Sequence, residues 1–261
     1  MTSYAMKQYC IAFDVGKNPD PSAIQVWKEV QIMEPATHAT PARQILKDDL
    51  IMQYRLYDKR HTATAHFIGD LMRREELIEN AILVFDSTGV GEAMKDCLWE
   101  YEGIRNMIPI KYTAGDKERP VYKAFEEDPR FAASGRDGFI PMKYLDYITV
   151  PKNAMVEQAQ RAMELGEIRL APNLPYKDEF KVQMQAFTGK MNKKGYTSYN
   201  NDTDKTHDDW VNCFMMRSWY RNRYRKMITE ANREYGRKDE VADILGRYGD
   251  DESSGGGPWQ I

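Results

Sequence analysis

The sequence predicts an α/β protein in which a central mixed β-sheet is flanked by helices, and three observations support that prediction. The 261 residues are 42% hydrophobic and 30% charged, so the chain is long enough to bury a large core. An apolar run at 9–13 precedes a second extended stretch at 22–33, which predicts an antiparallel hairpin. A strand at 81–85, a helix at 90–101 and a strand at 107–110 form a β-α-β unit, whose two strands are parallel.

The spacing of apolar residues predicts further elements in the N-terminal half. A helix is expected from Thr62, because the helical spacing of apolar residues continues from there as far as Ile78. Residues 37–61 show no clear pattern. Residues 111–147 also lack a clear period, and only 122–125 are compatible with the start of a short helix.

Three more helices are expected in the C-terminal half. One follows 149–152 and is closed by Gly166, and a second covers 177–187 after a short strand at 168–170. Glycine, lysine and tyrosine residues between 188 and 199 predict an exposed hairpin. The last helix is expected from His207 to about Arg233. We expect a folded domain at 1–236 and a flexible acidic Gly/Ser tail at 237–261, which has too few apolar residues to form a core.

Charge, cysteine content and hydropathy exclude several classes of protein. The 37 Lys and Arg residues against 40 Asp and Glu give a net charge of -3, so a nucleic acid would have to contact a local basic patch. Three cysteines outside any CxxC pair predict core thiols in a reducing compartment. No apolar stretch approaches membrane-spanning length, so we expect a cytoplasmic protein without membrane contact. The pattern GxxxxGK[ST] of an ATPase is absent.

Acidic residues at the ends of predicted elements carry the functional prediction. Asp14 ends the first strand, Asp86 ends the strand at 81–85, and Asp208 and Asp209 open the last helix. Carboxylates that meet without a cation repel one another, so they take up protons or bind metal ions. Oxygen ligands favour Mg²⁺ or Mn²⁺, and two such ions about 3.5–4 Å apart promote hydrolysis of a phosphodiester.

Each of these residues also has an ordinary structural explanation. Asp14 fits a turn before Gly16, Asp86 fits a helix entry, and Asp208 fits an N-cap. The joint order of two strand-end aspartates and an Asp-Asp pair at a helix start favours the metal site.

Four blocks of the sequence resemble the nuclease domain of bacteriophage terminase large subunits. In chain order they are Phe13–Gly16 followed by Asp20 to Val26, Leu83–Gly91, Thr149–Lys152 before an amphipathic helix, and Thr206–Val211. The blocks extend over roughly residues 8 to 220, and their order is more specific than any one of them. The resemblance implies a ribonuclease H-like fold, shared with retroviral integrases and Holliday-junction resolvases, whose C-terminal helix carries the last catalytic carboxylate.

The resemblance further implies a two-metal endonuclease that cuts concatemeric viral DNA during packaging in the host cell cytoplasm. Asp14 corresponds to the metal ligand that bridges both ions, Asp86 to the ligand on the later strand, and Asp209 to the helix carboxylate, with Asp208 beside it as a direct or indirect ligand. Asn212 stands where many relatives have a fourth carboxylate. The implied partners are double-stranded DNA, the terminase ATPase motor, which is absent from this chain, the small terminase subunit and the portal protein.

Residues around the acidic cluster are expected to assist it. His207 is expected to orient Asp208 or cap the helix rather than bind a hard ion, and Asn212 is expected to lie just outside the metal ligands. Arg217 and the arginines after it fit either DNA contact or pairing with the acidic tail. Three hairpin lysines are expected to contact DNA phosphates: Lys190, Lys193 and Lys194.

Two other functions are compatible with the sequence. The first is a structure-selective resolvase or ribonuclease H of the same fold. The second is a non-enzymatic docking module for portal or motor partners, in which the carboxylates serve structure alone.

Overall fold

A computed structural model describes residues 7–16, 20–36, 41–57, 60–104, 106–115, 117–124, 143–191, 197–201 and 208–223. The side chains of 43–44, 123–124, 143–144, 188–191 and 197–201 lie outside this description. One compact unit is Met1–Tyr220, and the chain from Arg221 onward is a second unit, of which 221–223 are described. The predicted domain boundary at 236 and the tail at 237–261 lie outside the described residues.

The described strands and helices alternate along most of the chain. The strands are β1 (Tyr9–Asp14), β2 (Ser22–Glu34), β3 (Arg43–Leu56), β4 (Ala81–Asp86), β5 (Met107–Thr113), β6 (Arg119–Ala124), β7 (Lys143–Pro151), β8 (Ile168–Leu170), β9 (Phe187–Met191) and β10 (Thr197–Asn201). The helices are α1 (His61–Met72), α2 (Val90–Glu100), α3 (Lys152–Glu164), α4 (Lys177–Ala186) and α5 (209–223).

Strands β1 to β8 form one mixed sheet in the order β6-β7-β5-β4-β1-β2-β3-β8, and β9 and β10 pair as an antiparallel hairpin. Strands β1, β2 and β3 pair antiparallel, whereas β4, β5 and β7 run parallel to β1. The antiparallel strands and the parallel strands thus meet at β1. The predicted fold class, a mixed α/β sheet flanked by helices, is confirmed.

Alternating side chains on β1 point to two different helical layers. Ile11 and Phe13 belong to one core with Ala65 of α1 and Met94 of α2. The alternate residues of the strand, Cys10, Ala12 and Asp14, therefore face the opposite side of the sheet.

Helix α5 covers that opposite side. The ring centroids of Trp27 in β2 and Phe214 in α5 are 5.6 Å apart. The thiol of Cys213 donates to the carbonyl oxygen of Ala23 at 3.4 Å. Trp210, Phe214 and other aromatic residues of this helix are buried. None of the helices in the described ranges is both long and apolar enough to cross a membrane.

Three predictions about elements are wrong or incomplete. Residues 43–56, which show no sequence pattern, form β3. Tyr122 lies in β6 rather than in a helix, because this segment pairs with β7 at the edge of the sheet, where Pro120 is tolerated. Helix α1 ends at Met72, so Ile78 lies beyond it and is half exposed.

Candidate active site

Asp14 and Asp86 lie at the carboxyl ends of two adjacent parallel strands. Phe13 of β1 is opposite Phe85 of β4, so the next residue on each strand is a neighbour of the other on the same face of the sheet. That face is opposite the core containing the two phenylalanines, and α5 covers it. The structure thus brings the two strand-end aspartates together at the edge where open α/β sheets bind ligands.

The start of α5 adds two more carboxylates to this edge. The backbone N–H of Asn212 donates to the carbonyl oxygen of Asp208 at 2.8 Å, so Asp208 is the N-cap and Asp209 is the first residue of the helix. The side chain of Gln183 in α4 accepts a hydrogen bond from the backbone N–H of Trp210 at 2.9 Å. This bond fixes the start of α5. The N-terminus of a helix carries a partial positive charge, which stabilises carboxylates nearby.

The carboxyl group of Asp14 is surrounded by protein and by other carboxylates, although the residue retains some solvent exposure. Burial raises the pKa of Asp14 well above its usual range, and Asp209, Asp86 and, less strongly, Asp208 raise it further. The side-chain amide of Asn212 donates to Oδ2 of Asp14 at 2.9 Å and lowers the pKa in part. Asp14 is therefore the electrostatic centre of the cluster.

Asp86 is oriented by the turn that leads from β4 into α2. Its Oδ1 accepts a hydrogen bond from the backbone N–H of Thr88 at 2.8 Å. A Cβ atom on Gly91 would lie 2.1 Å from the carbonyl oxygen of Asp86, so only glycine lets α2 approach the strand end this closely. The glycine at this position thus serves the packing of strand against helix.

Tyr112 also lies beside the cluster, although no sequence pattern indicated it. Ile110 of β5 is opposite Asp86, and Tyr112 stands two residues later on the same face. Its hydroxyl oxygen is buried and makes no hydrogen bond within the described residues. Burial raises the pKa of Tyr112 well above its usual range, and Asp86 and Asp14 add to the effect.

Lys152 brings a positive charge to the same place. Its Nζ lies 3.6 Å from Oδ2 of Asp208 and 5.7 Å from the ring centroids of both Tyr112 and Phe187. The block Thr149–Lys152 marked this segment in the sequence, but its side-chain contacts depend on residues that are distant in the chain. Lys152 was therefore not predicted as a site residue.

The acidic residues do not converge on one point. Within the described residues, no group of three or more His, Cys, Asp or Glu side chains is placed to hold a metal ion. The other aspartates can still raise the pKa of Asp14, because charges act over longer distances than the roughly 2.1 Å of an Mg²⁺–oxygen bond. The donor atoms are carboxylate oxygens of like charge, which is the chemistry that suits a hard divalent cation.

Several predicted site residues lie elsewhere or outside the described residues. His207, Lys193 and Lys194 lie outside them, and of Lys190 only the backbone, within β9, is described. Arg217 does not fit DNA contact, because its side chain is 2% exposed and is paired with buried carboxylates of Asp48 and Glu29. Its charge neutralises these carboxylates inside the protein.

A groove of about 350 Å³ lies on the side of the sheet near α3 and α4. Its lining includes Met163, Leu170, Phe180 and Phe214 and contains none of the four aspartates. The groove is thus separate from the acidic edge.

No protein-family model matches the sequence. No curated protein matches it either.

Solved structures do match the chain. The large terminase nuclease from thermophilic phage G20c with bound magnesium is 16% identical, with a TM-score of 0.48, and the match covers 80% of this chain and 79% of that chain. The Thermus phage P74-26 large terminase nuclease domain is 15% identical, with a TM-score of 0.44 and coverage of 80% and 76%. The large terminase nuclease domain of bacteriophage SPP1 with bound Mn is 16% identical, with a TM-score of 0.41 and coverage of 80% and 86%. All three of these structures are nuclease domains of phage large terminases.

Proposed function

We propose that this chain is a metal-dependent endonuclease that cleaves concatemeric viral DNA during genome packaging. One observation carries the proposal. Asp14 and Asp86 end adjacent parallel strands, and the helix that begins at Asp209 is bound to Asp14 through Asn212. Such a cluster of like charges destabilises a fold, and binding of divalent cations to it would remove the repulsion.

Asp14, Asp86 and Asp209 are proposed to bind two Mg²⁺ or Mn²⁺ ions. When bound, such ions lower the pKa of a water molecule and stabilise the attacking and leaving oxygens at a phosphodiester. The chain itself orients the carboxylates: the amide of Asn212 holds one oxygen of Asp14, and the N–H of Thr88 holds one oxygen of Asp86. Preset ligand orientation of this kind strengthens metal binding.

The DNA is proposed to lie along the acidic edge, in contact with the β9–β10 hairpin. Phe187, the first residue of β9, lies beside Lys152, so the hairpin starts next to the cluster. Lys190, Lys193 and Lys194 would bind backbone phosphates, which position a duplex without reading its sequence. The ATPase motor, the small terminase subunit and the portal are the proposed protein partners, in the host cell cytoplasm.

Cleavage of supercoiled plasmid DNA with Mg²⁺ or Mn²⁺ tests the proposal. We expect nicking and linearisation by the wild-type chain. Asp14→Asn, Asp86→Asn and Asp209→Asn should each reduce cleavage by more than the roughly 10–100-fold that loss of an indirect metal partner costs. Asp49→Asn is the matched control, because Asp49 pairs with Arg169 on β8 and lies outside the cluster. Undiminished cutting by the Asp14 variant would contradict the assignment.

Comparison of substrates separates the alternatives. Linear duplex DNA, a four-way junction and an RNA–DNA hybrid should be cut with little preference for the last two. A clear preference for the junction or the hybrid would indicate a resolvase or a ribonuclease H. A chain that binds no divalent ion at millimolar concentration and cuts none of the three would be a docking module.

A further inference from the structure

Lys152 enters the acidic edge from a fourth parallel strand. It is the first residue of α3 and follows β7 directly, and Val150 of β7 is opposite Tyr112 of β5. The carboxyl ends of β1, β4, β5 and β7 lie along one edge of the sheet. The lysine therefore shares this edge with Asp14 and Asp86.

The ammonium group of Lys152 is held in place without being fully buried. Oδ2 of Asp208 is 3.6 Å from Nζ, and the ring centroids of Tyr112 and Phe187 each lie 5.7 Å from the same nitrogen. The side chain is 23% exposed, so the charge can reach a ligand that arrives from solvent. Aromatic rings beside an ammonium group restrict its position and partly desolvate it.

Neither the helix end at which Lys152 stands nor its ion pair gives the lysine much stabilisation. The first turn of a helix carries partial positive charge, which repels a cation, and α3 has no acidic residue in its own first turn to compensate. A partly exposed ion pair such as Lys152–Asp208 contributes little to stability. A partly exposed positive charge at the edge where the DNA is proposed to lie suits an anionic ligand.

The two aspartates at the start of α5 have different surroundings. Asp209 lies one helical turn before Asn212, whose side-chain amide donates to Oδ2 of Asp14 at 2.9 Å. Asp208 is instead the acid that contacts Lys152. The pair therefore divides into an acid directed to the cluster and an acid directed to the lysine.

We propose that Lys152 binds a phosphate oxygen of the DNA beside the scissile bond, and that Asp208 positions its ammonium group instead of binding metal. This inference rests on the proposed nuclease function. An ammonium group is a compact point charge that suits a single phosphate oxygen. Lys152 would thus contact the substrate, and Asp208 is a positioning residue.

Lys152→Met in the full chain tests the first half of the proposal. DNA affinity is measured with Ca²⁺ in place of Mg²⁺, so that binding is observed without cleavage. We expect affinity to fall about tenfold and the slope of log K against log salt to decrease by about one, because one phosphate contact is lost. Affinity for Mn²⁺ by calorimetry should stay within about threefold of the wild type. Lys152→Arg should restore part of the DNA affinity, since it keeps the charge.

Lys111 provides a matched control. Its side chain is 24% exposed, pairs with Glu92 at 3.3 Å and lies 4.1 Å from the ring centroid of Tyr147. It thus has the same type of environment as Lys152, but its acidic partner is outside the cluster. Lys111→Met should leave the DNA affinity and its salt dependence unchanged.

Asp208→Asn tests the second half. It should retain Mn²⁺ binding and lose DNA affinity less strongly than Lys152→Met, and the double variant should be no worse than Lys152→Met alone. Asp209→Asn should lose Mn²⁺ binding. The inference would be overturned if Lys152→Met bound DNA as tightly as the wild type. It would also be overturned if Asp208→Asn lost as much Mn²⁺ binding as Asp209→Asn. In either case, cleavage by the wild-type chain would leave the proposed function intact. A wild-type chain that neither binds Mn²⁺ nor cuts DNA would contradict both.

Discussion

Asp14 is the residue at which folding and the proposed chemistry conflict. Burial, Asp209 and Asp86 raise its pKa well above the usual 3.8, so the folded chain holds this proton to higher pH than the unfolded chain does. At pH values between the pKa of Asp14 in the unfolded chain and its higher pKa in the folded chain, the unfolded chain binds fewer protons than the folded chain. The free energy of unfolding therefore falls as the pH rises through this range.

Replacement of Asp14 by asparagine should stabilise the metal-free protein at pH 7. Asparagine cannot ionise, and its side-chain oxygen can still accept the hydrogen bond from Asn212. We expect the Tm of Asp14→Asn to exceed that of the wild type by at least about 2 °C, the shift for roughly one kcal/mol in a chain of this size. The difference should disappear near pH 4. Thermal unfolding in EDTA at both pH values measures it, and a lower Tm for the variant at pH 7 would contradict this account.

Asn212→Asp should have the opposite effect on stability. The new carboxylate removes the amide that donates to Asp14 and adds a like charge, so the metal-free chain should lose about 1–3 kcal/mol. The terminase resemblance places an aspartate here, and a further oxygen ligand should strengthen Mn²⁺ binding. Urea unfolding and calorimetry check the two effects. Unchanged stability together with weaker Mn²⁺ binding would show that Asn212 does not face the ions.

At the scale of elements, α5 determines where Asp209 and Asn212 lie relative to the sheet. Arg217, two turns after Asp209, contacts Asp48 of β3 and lies 3.6 Å from Glu29 of β2. All three side chains are buried. The helix is thus fixed on the sheet by ion pairs that water does not screen.

Arg217→Met should destabilise the fold by about 3–5 kcal/mol, because two buried carboxylates would lose their cation. Urea unfolding measures the loss. Lys181→Met is a suitable control, since Lys181 pairs with Asp178 within one exposed helix turn, and it should cost less than about 1 kcal/mol. A loss below about 1 kcal/mol for Arg217→Met would mean that the buried cluster does not hold α5 in place.

The same buried cluster explains why β3 could not be predicted from the sequence. Asp48 and Gln53 are buried within this strand, and they interrupt the apolar pattern by which strands are recognised. The partner that makes Asp48 tolerable is Arg217, 169 residues away. In contrast, β1 and β4 were predicted correctly because their buried positions are apolar, and α2 because Met94 and Leu98 keep helical spacing.

At the scale of the whole molecule, part of the candidate site follows from the sequence and part does not. Asp14 and Asp86 could be recognised as strand-end residues from the sequence, and the parallel pairing of β1 with β4 makes them neighbours. The contacts of Lys152 with Asp208 and Tyr112 join three separate segments, and no local spacing indicates them. These contacts depend on the order of the strands in the sheet, which brings the three segments together.

Metal binding should stabilise the whole chain. At a Mn²⁺ concentration 100 times the Kd, linkage adds about 2.7 kcal/mol, which corresponds to a rise in Tm of about 5–10 °C. Asp14→Asn should show no such rise, whereas Asp49→Asn, outside the cluster, should respond like the wild type. An equal rise in all three chains would place the metal elsewhere.

The most direct test is a crystal structure of this chain soaked in Mn²⁺, with the ions located by anomalous scattering. The account predicts anomalous peaks between Asp14, Asp86 and Asp209, at ligation distance from their carboxylate oxygens, with Lys152 still paired to Asp208. Soaked crystals with no peak at this edge of the sheet, or with Mn²⁺ bound only at other acidic residues, would contradict the assignment of these three aspartates as a metal centre.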